Sequence, residues 1–261
     1  FPRSESGRVF EVHSKKGEFI ANPCLASRKD LRDSVTAARA AQHGWAKATA
    51  YNRGQILYRI AEMLEGRAEQ CAAEISATTA ITPLKAQSMV SEAIDRWVWY
   101  AGWSDKLSAV TGATNPVAGP YYNFTIPEPL GVVVVTASDS FIDFIDAIAA
   151  AVVSGNSVIA LVDGGLSVPA MTFAEVLATS DLPAGVINIL TGSLDELAPW
   201  AASHMDVDGF DISAIGKKKR AELKVAGAEN LKRIYIADGK LTPSRILAFM
   251  EQKTVWHTIG V

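Results

Sequence analysis

Four aspartates, Asp139, Asp163, Asp211 and Asp238, stand at four of five places where this chain reads as leaving a β-strand. Those places are Thr136–Phe141 (TASDSF), Val162–Gly165 (VDGG), Thr191–Ser193 (TGS), Asp211–Ser213 (DIS) and Ala237–Lys240 (ADGK). Carboxylates so placed could hold a divalent cation, since oxygen ligands suit magnesium or calcium. Aspartate is also common where a loop starts or a helix begins, because it accepts orphan amide protons. The second reading is favoured, because no ligand-spaced motif accompanies them. A dinucleotide site needs glycines for close approach and open helix N-terminal amides for its phosphates. No GxGxxG is present, and carboxylates in such a cleft would repel a pyrophosphate. Lys217 and Lys218, just after Ser213, could offset that charge and hold a phosphate, although they oppose the dipole of the helix they open.

The elements that must position these ends form a repeating pattern from Leu130 onward. Candidate strands 131–136, 157–162, 186–190, 207–212 and 232–237 alternate with helices near 142–154, 168–179, 194–203 and 215–226. Gly155, Pro183 and Gly185 punctuate them. Apolar strands alternating with helices imply a parallel sheet covered on both faces, hence a doubly wound α/β fold whose ligands sit beyond the strand C-termini. The preceding part reads as helical. Ser27 to Asp30 is a loose capping box before Leu31, Val35, Ala38 and Ala41 at helical spacing. Asn52 is the expected cap of a second helix with Ile56, Leu57, Ile60 and Leu64 on one face. A third is expected from about Pro83 to Leu107, its aromatics Trp97, Trp99, Tyr100 and Trp103 read as interhelix packing. Tyr121 to Ile126 alternates like a strand that Pro127 and Pro129 should stop.

Composition narrows the classes. Apolar residues make up 49% and charged residues 20% of 261, an ordinary globular balance. A net charge of −3 without a basic stripe argues against nucleic acid or an anionic membrane surface as partner. Lys217 to Arg220 reads as a solvated helix face. Cys24 and Cys71 form no CxxC, and His13, His43, His204 and His257 are scattered. A disulfide scaffold or zinc site is therefore not expected, and a reducing, cytoplasmic setting is. The longest apolar stretch, 141–153, contains Asp143 and Asp146 and is too short to span a bilayer. The first residue is Phe1, which leaves open that the chain is a module of something longer.

Several segments together resemble the aldehyde dehydrogenase superfamily: EPLGVVVV (128–135), GNSV (155–158), LPAGVINILTG (182–192) and ENLKRI (229–234). SVTAARAAQHGWA (34–46), WYAGWSDKL (99–107) and the closing KTVW (253–256) are similar to the same family. The resemblance implies a five-stranded Rossmann-like sheet, an NAD cofactor and a small β arm used in oligomerisation. On it the chain divides into an N-terminal helical part of the Rossmann-like domain (1–114), an oligomerisation hairpin (115–129), the βα core (130–240) and a linker helix with a C-terminal oligomerisation strand (241–261).

The chain departs from that family where the chemistry resides. The family's oxyanion-donating asparagine falls in Ser138-Asp139-Ser140-Phe141, and a carboxylate cannot replace a donor. The ribose-binding lysine falls at Leu161 or Val162, and the phosphate-side glycine at Ile212. The general-base glutamate falls at Ile236, which takes no proton. Neither cysteine matches the nucleophile, and the catalytic domain expected after Lys240 gives way to a linker leading into the tail. No catalytic residue is therefore assigned. On the resemblance, Thr136, Gly192 and Ser213 would be the vestige of a cofactor site; no cofactor is expected, with NAD a weak alternative. The expectation is a non-catalytic subunit that scaffolds or stabilises a catalytic aldehyde dehydrogenase, or pairs with itself, through Tyr122, Phe124, Val255, Trp256 and Ile259 of the arm. It is similar to the inactive second module of tandem aldehyde dehydrogenases. The alternative is an NAD(H)-binding component whose cysteine comes from a partner chain.

Overall fold

In the computed structural model, which describes residues 4, 6–79 and 81–259, a parallel sheet separates two apolar cores. In chain order the elements are β1 (Val12–His13), β2 (Phe19–Ala21), α1 (Arg28–Lys47), α2 (Ala50–Glu65), α3 (Ala68–Thr78), α4 (Pro83–Ala101) and α5 (Leu107–Thr111). Next come β3 (Ala113–Asn115), β4 (Tyr121–Pro129), β5 (Val132–Ala137), α6 (Phe141–Val152), β6 (Ser157–Val162) and α7 (Ser167–Ala178). The chain continues through β7 (Ile187–Thr191), α8 (Leu194–Ser203), β8 (Gly209–Asp211), α9 (Lys217–Ala228), β9 (Arg233–Tyr235), α10 (Ser244–Leu247) and β10 (Met250–Thr258). The central sheet has the order β7-β6-β5-β8-β9, every pairing parallel, so the doubly wound α/β expectation holds.

The reason is visible in β5. Val133 and Val135 join the core with α2, α3, α4, α6 and α7, whereas Val132 and Val134 join the core with α1, α8 and α9. A strand buried on both faces carries no polar alternation, which is why β5 and β6 read as continuous apolar runs. The capping box of α1 forms as its sequence implies: Ser27 accepts from the Asp30 amide, and Asp30 accepts from the Ser27 amide. Trp97 is fully buried and stacked on Phe173, with ring centroids 5.8 Å apart, so this tryptophan does pack between helices.

Other local expectations are corrected. Asn52 is not the cap of α2; Thr49 is, its hydroxyl accepting from the Asn52 amide at 3.2 Å. The helix α3 was not anticipated. The third helix ends at Ala101, and a separate short helix starts at Leu107. Strand β4 runs on through Pro127 and Pro129, paired with Gln252 and Met250 of β10. Strand β3 reaches only as far as Thr125 along β4, so beyond it one edge is open and a missing N–H removes no ladder bond. The linker helix shrinks to Ser244–Leu247, because Met250 already belongs to the strand.

Asn156 joins the sheet to the arm. Its carbonyl accepts from the Gly131 amide at 2.8 Å, and its amide nitrogen donates to the oxygens of Ala151, Ser154 and Phe249 at 2.9–3.0 Å. The residue is fully buried, so removing the side chain leaves partners without water to replace it. Asn156→Ala is expected to lower unfolding stability by at least about 2 kcal/mol, read from the urea midpoint at unchanged m-value.

Candidate functional site: a cleft at the strand ends

The C-terminal ends of β5 and β8 and the segment after β9 border a cleft of about 420 Å³, lined among others by Thr136, Asp139, Ser213, Lys217, Arg220 and Arg245. Its polar atoms are largely turned to bonds within the chain. The Thr136 hydroxyl donates to the Asp211 carbonyl at 3.0 Å and accepts from the Ala214 amide at 3.3 Å. The Ser213 hydroxyl donates to the Asp211 carboxylate and accepts from the Ala237 amide at 2.8 Å. Arg220 donates to the carbonyls of Ile215 and Ser213, at 2.7 and 2.8 Å, and so pins the turn that opens α9. Gly192 lies elsewhere, at the end of β7 two strands from β5, with Ala26 against it. Of the three residues named as a cofactor vestige, the structure brings two together.

The four aspartates divide the same way. Asp163 accepts from the Gly164 amide at 2.7 Å and the Leu194 amide at 3.1 Å, tying the end of β6 to the start of α8. Asp238 accepts from the Lys240 amide at 3.0 Å, and Asp139 accepts from the Ser138 hydroxyl at 2.8 Å. Ser140, not an aspartate, caps α6. Among the described residues no three His, Cys, Asp or Glu side chains come together in a metal-holding group.

Asp211 is the exception and the centre of the site. It is fully buried at the end of β8, where one oxygen takes the Ser213 amide at 2.9 Å and the other takes the Arg245 guanidinium at 2.8 Å. Burial opposes the charge on Arg245, but Asp211 outweighs it and holds the guanidinium protonated. A second pair adjoins it: Arg96 donates to Asp146 at 2.9 Å and to Glu92 at 2.6 Å. Burial pushes the Asp146 carboxyl up, with Arg96 and Arg245 pulling it back, and burial also pushes the Tyr100 hydroxyl up. Removing one partner of such a buried pair costs about 3–5 kcal/mol, because the other charge is left in a dry site. Arg245 was not named from sequence.

The positions to which the resemblance assigns the general base, the ribose-binding lysine and the phosphate-side glycine are apolar and packed. Ile236 is a half-buried side chain against the core around Leu223, while Leu161, Val162 and Ile212 are fully buried. The arm gathers the remaining named residues. Strands β10, β4 and β3 form an antiparallel sheet, in which Val255 pairs with Phe124 and Trp256 with Asn123. Alternation puts Tyr122, Phe124 and Val255 on one face and Trp256, beside Tyr121, on the other. Ile259 follows the strand and is exposed. Four of the five interface candidates therefore share one sheet but not one face, and Ile259 lies just beyond it.

A doubly wound sheet with a cleft at its strand ends and a β arm beside it is the architecture of a nucleotide-type dehydrogenase domain. The chain belongs to the aldehyde dehydrogenase family, whose model matches residues 1–251. It is 31% identical over 252 residues to retinal dehydrogenase 2 of Gallus gallus, covering 94% of this chain and 48% of that one. It is 28% identical to an aldehyde dehydrogenase of Emericella nidulans, covering 100% and 53%. A crystal structure of a putative aldehyde dehydrogenase from Burkholderia cenocepacia superposes with a TM-score of 0.83 at 26% identity, over 90% of this chain and 50% of that one. A betaine aldehyde dehydrogenase point mutant from Staphylococcus aureus, solved in complex with NAD+, shares the fold with a TM-score of 0.84 at 20% identity, over 90% and 48%. The chain spans about half the length of these relatives.

The cysteines make a direct check on local chemistry. Cys71 is fully buried in α3, where burial pushes its thiol up to about 12. At pH 8 its thiolate is then about one part in ten thousand, and the thiol is shielded. The native protein is expected to show no reaction at Cys71 with a thiol-directed reagent, followed by peptide mass spectrometry, whereas the half-buried Cys24 reacts; denaturant should release Cys71.

Proposed function

We propose that this chain is a non-catalytic member of the aldehyde dehydrogenase family, a subunit or module that scaffolds or stabilises a catalytic aldehyde dehydrogenase through its β arm. The observation that carries the reading is the state of the strand ends. Where the family resemblance places a general base, Ile236 packs against the core, and the hydroxyls of Thr136 and Ser213 bond within the chain. An acyl-transfer site needs a nucleophile, a base and an oxyanion donor in mutual reach. The family's oxyanion-donating asparagine falls within Ser138-Asp139-Ser140-Phe141, where no asparagine stands.

The arm supports the second half of the reading. A three-stranded sheet gains stability by covering a face. Here Tyr121, Tyr122, Ile126, Trp256 and Ile259 remain exposed, and β10 forms an edge of its sheet. Edge backbone groups with apolar side chains above and below are suited to strand addition by another chain. Partnership with nucleic acid or membrane is not part of the proposal; among the described residues no helix is long and apolar enough to cross a membrane.

The alternative, an NAD(H)-binding component with its cysteine supplied in trans, draws on Lys217 at the cleft and on relatives solved with NAD+. Calorimetric titration with NAD+ separates the two. The scaffold reading expects no saturable binding tighter than about 1 mM, and a tighter constant would favour the alternative. For the arm, Val255→Asp is expected to weaken association with an aldehyde dehydrogenase from the same source at least about tenfold in sedimentation velocity. Unchanged association would place the contact elsewhere.

A further inference from the structure

The stretch from Leu241 to Phe249 joins the last strand of the large sheet to the arm, and it is anchored more firmly than a surface linker needs to be. Arg245 on α10 is buried, and its guanidinium meets Asp211 at the end of β8. Four residues later the Phe249 ring is fully buried, edge-on to Tyr235 at 5.6 Å between centroids. Gly209 of β8 makes the room: a Cβ there would stand 3.0 Å from the Phe249 ring. The Phe249 carbonyl accepts from Asn156 at 2.9 Å and from the Leu130 amide at 3.3 Å. Arg233 donates to the carbonyls of Ala248 and Met250, and Met250 is the first residue of β10.

Two anchors therefore hold one short segment, one ionic and one apolar, and both land on β8. Replacing a buried ion pair by apolar residues is often neutral or favourable for stability, so stability alone does not account for it. What a directional pair adds is a single seat. The linker passes the cleft mouth, and the strand that follows it takes its starting point from Phe249 and Met250.

We propose that Leu241–Met250 is a latch, in which the Asp211–Arg245 pair at the strand ends and Phe249 beneath β8 fix the β arm at one angle on the body. The cleft at the strand ends then serves to present the arm. This goes beyond the proposed function, since the latch acts whether the arm meets a catalytic dehydrogenase or a second copy.

Hydrogen exchange of the full-length chain, followed by mass spectrometry, tests the latch. Peptides covering 121–129 and 250–259 report on the arm, and a peptide covering 50–65 reports on the body. Asp211→Asn and Arg245→Met are each expected to speed arm exchange at least tenfold while leaving 50–65 unchanged. The double variant should exchange no faster than either single one, because both remove the same pair and the double leaves no unpaired charge. Arg245→Lys, which keeps charge but not the planar fork, should fall between and serves if the methionine variant does not fold. Arm exchange within twofold of the parent in the single variants overturns the latch. So does equal loosening of arm and body, or additive effects in the double variant. NAD+ binding would overturn the functional reading and leave this result standing.

Discussion

One buried ion pair organises the end of this fold. Asp211 stands at the C-terminus of β8 with no exposure, where an unpaired carboxylate would be severely penalised, and Arg245 meets it from a linker that is distant in sequence. Because Asp211 must be paired, the linker must come to the strand ends. Because the linker comes there, Phe249 falls beneath Gly209 and β10 starts beside Pro129. The second pair, Arg96 with Asp146, extends the charged layer to α4 and α6, so the helical part and the linker meet at the same place.

The cleft follows from the same constraint. In a doubly wound sheet the strand ends are the natural place for a ligand, since helix N-terminal amides converge there. Here Ser140 caps α6, Arg220 pins the turn before α9, and Asp211 holds Ser213. Each bond is an ordinary turn or cap, yet together they turn the chain's polar atoms toward itself. The fold is that of an aldehyde dehydrogenase domain, and in such a fold packing and chemistry rest on different side chains.

Much of the architecture was legible from local pattern. Strands β5 and β6 showed as uninterrupted apolar runs because both their faces are covered, and α1 announced itself through Ser27 and Asp30. The helix α3 was not, because its alanine-rich AEQCAAEISAT carries too weak an apolar stripe to stand out. Pro127 and Pro129 suggested a stop that a half-open strand edge made unnecessary. At the cleft, Asp211 was visible as a carboxylate at a strand end; its bond to the Ser213 amide is a turn role, whereas its pairing with Arg245 goes beyond the capping view. Arg245 was invisible, because an ion pair spanning 34 positions leaves no periodicity for a local reading to detect. The arm residues were legible as a group, whereas their division between two faces required the register of β4 on β10.

The central claim is that this chain works by association. Native mass spectrometry of the complex purified from its source tests that most directly. The account predicts that the chain is found joined to a catalytic aldehyde dehydrogenase subunit, or to a second copy of itself, in a defined ratio. Recovery of the chain solely as a free monomer would contradict it.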